Sequence, residues 1–510
     1  MARITARTNA SVRLAFGTVA AIALAISGAG EARAAVTWSA ERQLAHGSYQ
    51  FAQPCDAVAR SDGRVIVTWR TTEPRRSVEP HVETAWIARR SATGRWGKPR
   101  VIWRHKVGLP GTYISKGIYA RCPLIAPGSH GTVDLLWDQG RETPTSSGRV
   151  RSEAGGLFMR RMSARGRWSP PRLIARRQSV ADTDVGQVVD TNRRGEAAVV
   201  LYNSDAVITR SARGRWGHAV RLRRPTRHVG PATVALGEHG QAVVAWLDTH
   251  REEHEVVRAV VRAGTGAPWT SPQVVSDTSG RCPAGPGVVH AAVADSGVSA
   301  VAWACSTNTA APSVTYYAVQ TAWRAPVDAA WRRDEVEVST STFDGGVLSP
   351  YASFWVLDLA FDAADTARVQ YLATNWPGDR SDDAIETYAL HAADRPAAAT
   401  AWAAPTTAMD FPHDAQFNPG ISNYGSLISD GDGRAVLFGS IIRAGSAAPL
   451  PGTFVSTRSP EGAWTGLEPI PSKAKGSEVA VLGGGVIIYA FQTLSHGRYG
   501  VRARIGRLSG

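Results

Sequence analysis

One hexapeptide pattern returns along this chain and limits its possible folds more than any other feature. It reads Ser91-Ala-Thr-Gly94-Arg-Trp96, Ser163-Ala-Arg-Gly166-Arg-Trp168, Ser211-Ala-Arg-Gly214-Arg-Trp216 and, more loosely, Ser459-Pro-Glu-Gly462-Ala-Trp464. Looser copies end at Trp269, Trp331 and Trp402, and Trp38 opens the series. These eight tryptophans recur at a mean spacing of about 61 residues, and Pro99, Pro171, Pro272 and Pro405 each follow three residues after one of them. Midway between tryptophans runs a second register, a turn and then a short apolar stretch ending in an aromatic. Its members end at Trp69, Trp137, Tyr202, Trp246, Trp303, Tyr371, Phe438 and Tyr489. Segments such as Val65–Trp69 and Ala242–Trp246 are β-branched, aromatic and bounded by glycine, which is the signature of strands.

Each unit therefore holds four strands, the third ending near Ser-x-x-Gly and the fourth starting at the tryptophan, and a single four-stranded sheet cannot bury both its faces. Sheets repeated radially around an axis solve the problem. The expected fold is all-β, a single eight-bladed β-propeller of four-stranded antiparallel blades. The chain opens with a lone fourth strand, Trp38–Leu44, and ends after three strands at about Glu478–Leu508. The N-terminal strand is thus expected to complete the last blade and close the ring. Two smaller β-domains in tandem are the alternative, but no low-complexity linker divides the halves.

The first residues read as an address. Arg3, Arg7 and Arg13 precede an apolar run from Leu14 to Ile26, and Ala32-Arg33-Ala34 fits the small-x-small cleavage rule. Residues 1–34 are expected to be a cleaved signal peptide, residues 35–510 the propeller, and the product secreted. The apolar run is short for the ~20 residues a membrane helix needs. The whole chain has 57 Lys+Arg against 43 Asp+Glu, a net charge of +14, and removal of residues 1–34 takes away four Arg and one Glu to leave +11. Lysine occurs only at positions 98, 106, 116, 473 and 475, an arginine skew typical of GC-rich bacterial coding. A positive surface favours acidic glycans or cell-wall polymers, and no Lys/Arg run with interleaved aromatics points to specific nucleic-acid binding.

Propeller geometry puts the 2–3 loops and the blade-to-blade loops on one face and the short 1–2 and 3–4 turns on the other. Long insertions fall on the first face: 70–83, 104–120, 138–155, 342–353, 375–383 and 410–423. All four cysteines map there too. An even count in an exported chain favours disulfides, and although four cysteines allow three pairings, proximity selects Cys55 with Cys122 and Cys282 with Cys305. No Cys-x-x-Cys spacing supports metal binding, and no metal or cofactor is expected. The stretch His250-Arg-Glu-Glu253-His254 matches a zinc-peptidase pattern, but that chemistry needs a helix and this segment follows a strand.

The Ser-x-x-Gly-x-Trp turn resembles a degenerate bacterial neuraminidase repeat, the Asp box of sialidase-type propellers, with Ser91, Gly94 and Trp96 matching in kind. The spacing is shorter here, and the aspartate is absent from every copy. Sialidase domains of this family are six-bladed and open with an Arg-Ile-Pro tripeptide that this chain lacks, so the resemblance implies a structural turn and carries over no sialidase chemistry.

Repetition in every blade marks the strand-2 aromatics as packing, because a ligand site breaks symmetry. Loops around the sixth blade do break it. Asp344, Tyr351, Trp376, Asp379, Arg380, His413, Asp414 and Tyr424 gather aromatic, amide and ionisable side chains in three loops that the geometry places on one face. Aromatics can stack on a sugar, Arg380 can pair a carboxylate, and His413 beside Asp414 can serve as a base. The expected function is a recognition module for an extracellular or cell-surface polymer, a glycan by these residues, acting as a monomer. The alternative is a glycoside hydrolase or polysaccharide lyase acting on an acidic polysaccharide. A purely structural envelope protein ranks third.

Overall fold

The structure, a computed structural model, describes residues 36–508 apart from 46–48, 50, 61, 74–80, 108–116, 121, 145–149, 177–187, 202–205, 223–228, 249–255, 277–287, 309–313, 345–346, 349–350, 377–386, 412–414, 419–426, 430–432, 444–451, 461, 471–473, 484 and 496–497. The candidate signal peptide lies outside the described residues, as does the His250–His254 segment. Among the described residues no helix is long and apolar enough to cross a membrane.

Eight antiparallel sheets follow one another along the chain as the repeat requires. Blade 1 orders Phe51–Ala59, Val65–Thr72, His81–Arg90 and Arg100–Val107; blade 6 orders Tyr351–Phe361, Ala367–Trp376, Thr387–Arg395 and Thr406–Asp410. Closure is as expected. Val36–Trp38 pairs with Gly506–Leu508, and Arg42–Gln43 pairs with Arg502–Ala503, so the first strand of the chain is the fourth strand of blade 8. Glu41 accepts a hydrogen bond from Arg502 and seals the same seam.

The core lies between the sheets rather than within them. Second strands are buried on both faces: Ala242–Asp248 is buried at every position. In blade 1, Val65, Val67 and Trp69 pack towards blade 8 against Ile488, Val501 and Ile505, while Ile66 packs towards blade 2 against Val133 and Leu135. The alternation of a pleated strand thus feeds two neighbouring clusters at once. Trp69, Trp246, Trp303, Tyr371 and Tyr489 are all fully buried, so the repeated aromatics are packing positions.

Two details differ from the sequence reading. The fourth strands were expected to start at the tryptophan. Trp96, Trp168, Trp216, Trp269 and Trp464 instead make a single bridge to the third strand, and ladder pairing resumes a few residues later, as at Arg100 after Trp96. After Trp96, Trp168 and Trp269 a proline that cannot donate to the ladder follows three residues on, while Trp216 and Trp464 show the same gap without one. The long insertions are in good part paired strand: Gly140–Pro144 pairs with Val150–Ala154, and the last strand of blade 5 runs Arg332–Asp344.

Arginine completes the repeat in a way the tryptophans alone do not suggest. The residue just before the Ser-x-x-Gly turn, Arg90, Arg210 or Arg458, donates to the carbonyl of the 1–2 turn glycine, Gly63, Gly195 or Gly433, at 3.5, 3.1 and 2.6 Å. Arg262 does the same to Gly240 at 3.1 and 2.9 Å, and its guanidinium lies over Trp269. Each such arginine ties together the two turns of one blade end. Within the 3–4 turn, the amide of Gly94 donates to Ser91 O at 2.9 Å and that of Gly166 to Ser163 O at 2.8 Å, with both glycines at positive φ.

Candidate functional site

Strand register determines which of the eight candidate residues meet. Tyr351 opens the first strand of blade 6, Trp376 closes the second, and the two are direct cross-strand partners. Asp344 closes the last strand of blade 5, where it pairs with Val347 in a short return strand. The backbones of Asp344, Tyr351 and Trp376 therefore occupy one rim, the end of the blades from which 2–3 and blade-to-blade loops spring. Asp379, Arg380, His413, Asp414 and Tyr424 lie outside the described residues.

The disulfide framework lies on the innermost strands, with Cys55 midway along Phe51–Ala59. Cys55 and Cys122 are bonded, with 5.2 Å between their Cα atoms, and join the first strands of blades 1 and 2. Cys305 is also disulfide-bonded. Cys282, the one cysteine that remains as its partner, lies outside the described residues.

Along the seam between blades 5 and 6, three polar side chains converge that sequence reasoning did not connect. Tyr371 donates its hydroxyl to Glu337 Oε2, and His391 Nδ1 lies 2.8 Å from the same oxygen. Tyr371 and His391 are cross-strand partners in blade 6, and Glu337 comes from the last strand of blade 5. Burial pushes the Glu337 carboxyl up, but hydrogen bonds from His391 and Tyr371 outweigh it and hold the group below its ordinary value. Burial first, and then the Glu337 carboxylate, push the Tyr371 phenol far above the ordinary 10.0. A fully buried phenol that holds its proton so firmly is no general base. Its hydroxyl anchors one blade to the next. The only sequence signal was Tyr371 standing where half the blades carry tryptophan.

Carboxylates on the innermost strands do similar work. Asp56 accepts from Ala57 N and, across the blade boundary, from Ile125 N, both at 2.6 Å. Asp190 accepts from Thr191 N and from Leu236 N of the next blade, both at 2.7 Å. Burial pushes both carboxyls up to about 7, against the lowering effect of these amides.

A different buried network joins blades 2 and 3. Asp134, wholly inaccessible, accepts from Arg161 Nε and Nη2 at 2.6 and 2.7 Å, from Arg210 Nη1 at 2.8 Å and from Trp216 Nε1 at 2.9 Å. Burial raises its carboxyl, and the two guanidinium groups more than reverse that, leaving it below the ordinary carboxylate value. Arg210 also donates to the carbonyls of Ala126 and Pro127.

No family model and no curated protein matches the chain. Among solved structures it is similar to a protein of unknown function from Dyadobacter fermentans, at 10% identity and a TM-score of 0.36 over 93% of this chain and 99% of that one. It is also similar to the polysaccharide lyase Uly1, at 10% identity and a TM-score of 0.40 over 75% and 91% of the two chains. A third is the NanB sialidase of Streptococcus pneumoniae, at 12% identity and a TM-score of 0.28 over 92% and 70%. Likenesses this distant decide nothing about function, and the fold rests on the strand pairings themselves.

Proposed function

We propose that the protein is a secreted recognition module that binds an acidic extracellular or cell-surface polysaccharide at the rim of blades 5 and 6. The observation that supports this reading is the register that brings Asp344, Tyr351 and Trp376 to one blade end. Two aromatics and a carboxylate are the residue types that stack on sugar rings and accept their hydroxyls. Arg380, His413 and Asp414, which the sequence assigns to the neighbouring loops, add to this reading a cation for a carboxylate and a polar pair. Tyr424 and Asp379 belong to the same set.

Binding is preferred to cleavage because a hydrolase or lyase needs a placed acid–base pair. The one tyrosine–histidine–glutamate cluster seen at this seam has its tyrosine fully buried and bonded to the carboxylate. Export through residues 1–34 and action as a monomer belong to the same proposal. Glycan-array binding alongside turnover assays on uronate- and sialoside-containing polymers tests it. Saturable binding without products, lost on joint replacement of Trp376, Arg380 and His413 by alanine with folding intact, is the expected result. Product release favours the enzyme reading, and unchanged binding in the triple variant moves the site elsewhere.

A further inference from the structure

The turn-bearing face, opposite the rim just described, carries a cleft between blades 1 and 2 with a volume of about 570 Å³. That lies within the ~300–1,000 Å³ range of small-molecule sites. Its walls hold Arg60, Arg64, Arg89, Arg95, Lys98 and Arg100, and no carboxylate among the described residues lines it. Its floor is apolar, with Ile66, Ile87, Val133 and Met162, and Trp168 stands at one side.

The same kind of groove recurs between other blades, and there a carboxylate joins the arginines. Arg161 in blade 2 occupies the position of Arg89 in blade 1, two residues before the serine of the 3–4 turn. Each lies against the turn glycine of the following blade: a Cβ on Gly214 would meet Arg161 Nη1 at 2.7 Å, and one on Gly166 would meet Arg89 Nη1 at 2.6 Å. Arg161 stands across the ladder from Asp134 and is held by it bidentately. Arg89 stands across the ladder from Ile66. The groove between blades 3 and 4 includes Glu196, and that between blades 6 and 7 includes Asp394 bonded to Arg368. At this register position blade 1 sets a hydrocarbon, Ile66, opposite its arginine, where blade 2 sets Asp134 opposite Arg161.

The cations of this cleft are fixed mainly by carbonyls, which orient a guanidinium without cancelling its charge. Arg60 donates to Thr132 O at 3.0 Å and Arg100 to Gly166 O at 3.5 Å. One carboxylate stands nearby, Asp62 at 3.5 Å from Arg64. Arg89 has no hydrogen bond or ion pair from its side chain among the described residues. Burial and then the charges of Arg64, Arg100 and Arg60 all push its pKa below the usual value, which shows how closely the four groups crowd.

We propose that the blade 1–2 cleft is a second binding site, for an acidic saccharide unit bearing sulfate or phosphate esters, whose oxyanions take the place that Asp134 fills in blade 2. Guanidinium groups match such oxyanions in planar, paired hydrogen bonds. The hydrocarbon floor with Trp168 suits a sugar ring, and the cleft takes one or two residues of a polymer rather than a nucleic-acid duplex. This site stands apart from the rim of blades 5 and 6, so each reading can fail without the other.

Titration calorimetry on the full chain at moderate salt provides the test, with a trisulfated disaccharide, the same disaccharide unsulfated, glucose 6-phosphate and a single-stranded oligonucleotide as probes. The sulfated disaccharide or the sugar phosphate is expected to bind, and the stronger of the two identifies which ester the cleft takes. Arg89→Met, at a half-buried site, and Arg100→Met, at an exposed one, should each weaken that binding about tenfold or more. Ile66→Asp supplies the counter-ion of blade 2 and should abolish binding, with a lowered melting temperature because Ile66 is buried against Val133 and Leu135. Should that variant fail to fold, the two arginine variants decide alone. Equal affinity for the unsulfated sugar, no loss in the arginine variants, or an equal arginine-dependent affinity for the oligonucleotide overturns the proposal.

Discussion

Replacing Asp134 with asparagine keeps the shape of a fully buried side chain and removes the charge on which two guanidinium groups converge. Four donors end on its two oxygens, from Arg161, Arg210 and Trp216, at 2.6 to 2.9 Å. The side chain of Arg210 is 1% exposed and has no solvent to turn to, whereas that of Arg161 is 32% exposed and is partly rehydrated. Breaking a buried ion pair from one side costs about 3–5 kcal/mol. With one partner near solvent, the lower end of that range, about 3 kcal/mol, applies. Unfolding entropy of ~2.1 cal/mol/K per residue, summed over the propeller, gives about 1 kcal/mol per degree, so the melting temperature should fall by about 3 °C.

The pH dependence separates this mechanism from a packing defect. The folded carboxyl is held below its unfolded value, so its contribution is complete above about pH 4 and is lost as pH falls through the folded value. The gap between the native protein and Asp134→Asn should therefore be full at pH 7 and shrink towards pH 2. Paired urea or thermal melts at the two pH values measure it. An asparagine variant within 1 °C of the native protein at pH 7, or a gap that stays constant into acid, refutes the reasoning.

Deleting residues 36–44 should cost several kcal/mol, since it strips Ser39 from Ile505 and Glu41 from Arg502 and removes buried Leu44, itself worth ~1.5–3 kcal/mol. Earlier melting with proteolytic cuts in blade 8 is the expected outcome, and melting like the untrimmed chain would sink the closure account. Reducing Cys55–Cys122, separated by 67 residues, should lower stability by up to about 4 kcal/mol, read from melts with and without reductant. Gly195→Ala should cost more than 2 kcal/mol by thermal melt, because φ is +78° and the new Cβ would lie 2.2 Å from Ser129 N of the neighbouring blade; Gly266→Ala, with the same φ and open space, should cost only the backbone strain of ~1–2 kcal/mol. The Asp56 carboxyl, raised to about 7, contributes most below pH 4 and loses its contribution as pH rises through 7, so Asp56→Asn should gain on the native protein between pH 5 and pH 8 by a few kcal/mol at most in parallel melts.

Much of this architecture was readable because the repeat states it twice. Ser91-x-x-Gly94-x-Trp96 and its copies mark the 3–4 turns, and the Val65–Trp69 series marks the strands that each blade buries on both faces. The Cys55–Cys122 bond followed from equivalent positions in adjacent blades. What escaped was whatever joins one blade to the next through side chains. Asp134 meets Arg210 76 residues away, and Glu337 meets His391 54 residues away. No local period encodes such pairs. Arg90, Arg210 and Arg458 were visible one place before each serine, but an arginine-rich composition hid their regularity. The insertions looked like loops because their residues are polar, yet polar residues alternate along an extended ladder as readily as along a coil. Of the candidate site, sequence could propose loops and a face; register alone could make Tyr351 and Trp376 partners.

The seam in blade 8 also sets an order of events. Glu41 and Arg502 lie 461 residues apart, so the first strand to be synthesised meets its partner after nearly everything else has been made. Bringing such distant segments together costs about 5 kcal/mol of chain entropy if nothing between them is folded, and far less once seven blades already hold the ends close. Assembly should therefore proceed blade by blade, with the opening segment left unmatched until the final hairpin arrives. Until then the growing arc presents the bare apolar faces of blade 1 and of the last blade, which fit each other and equally fit another copy of the chain, and an unpaired sheet margin that awaits the opening strand. A slow or interrupted synthesis would lengthen that interval. Crowded nascent chains would then join end to end, exchanging their opening strands, before each ring could shut on itself.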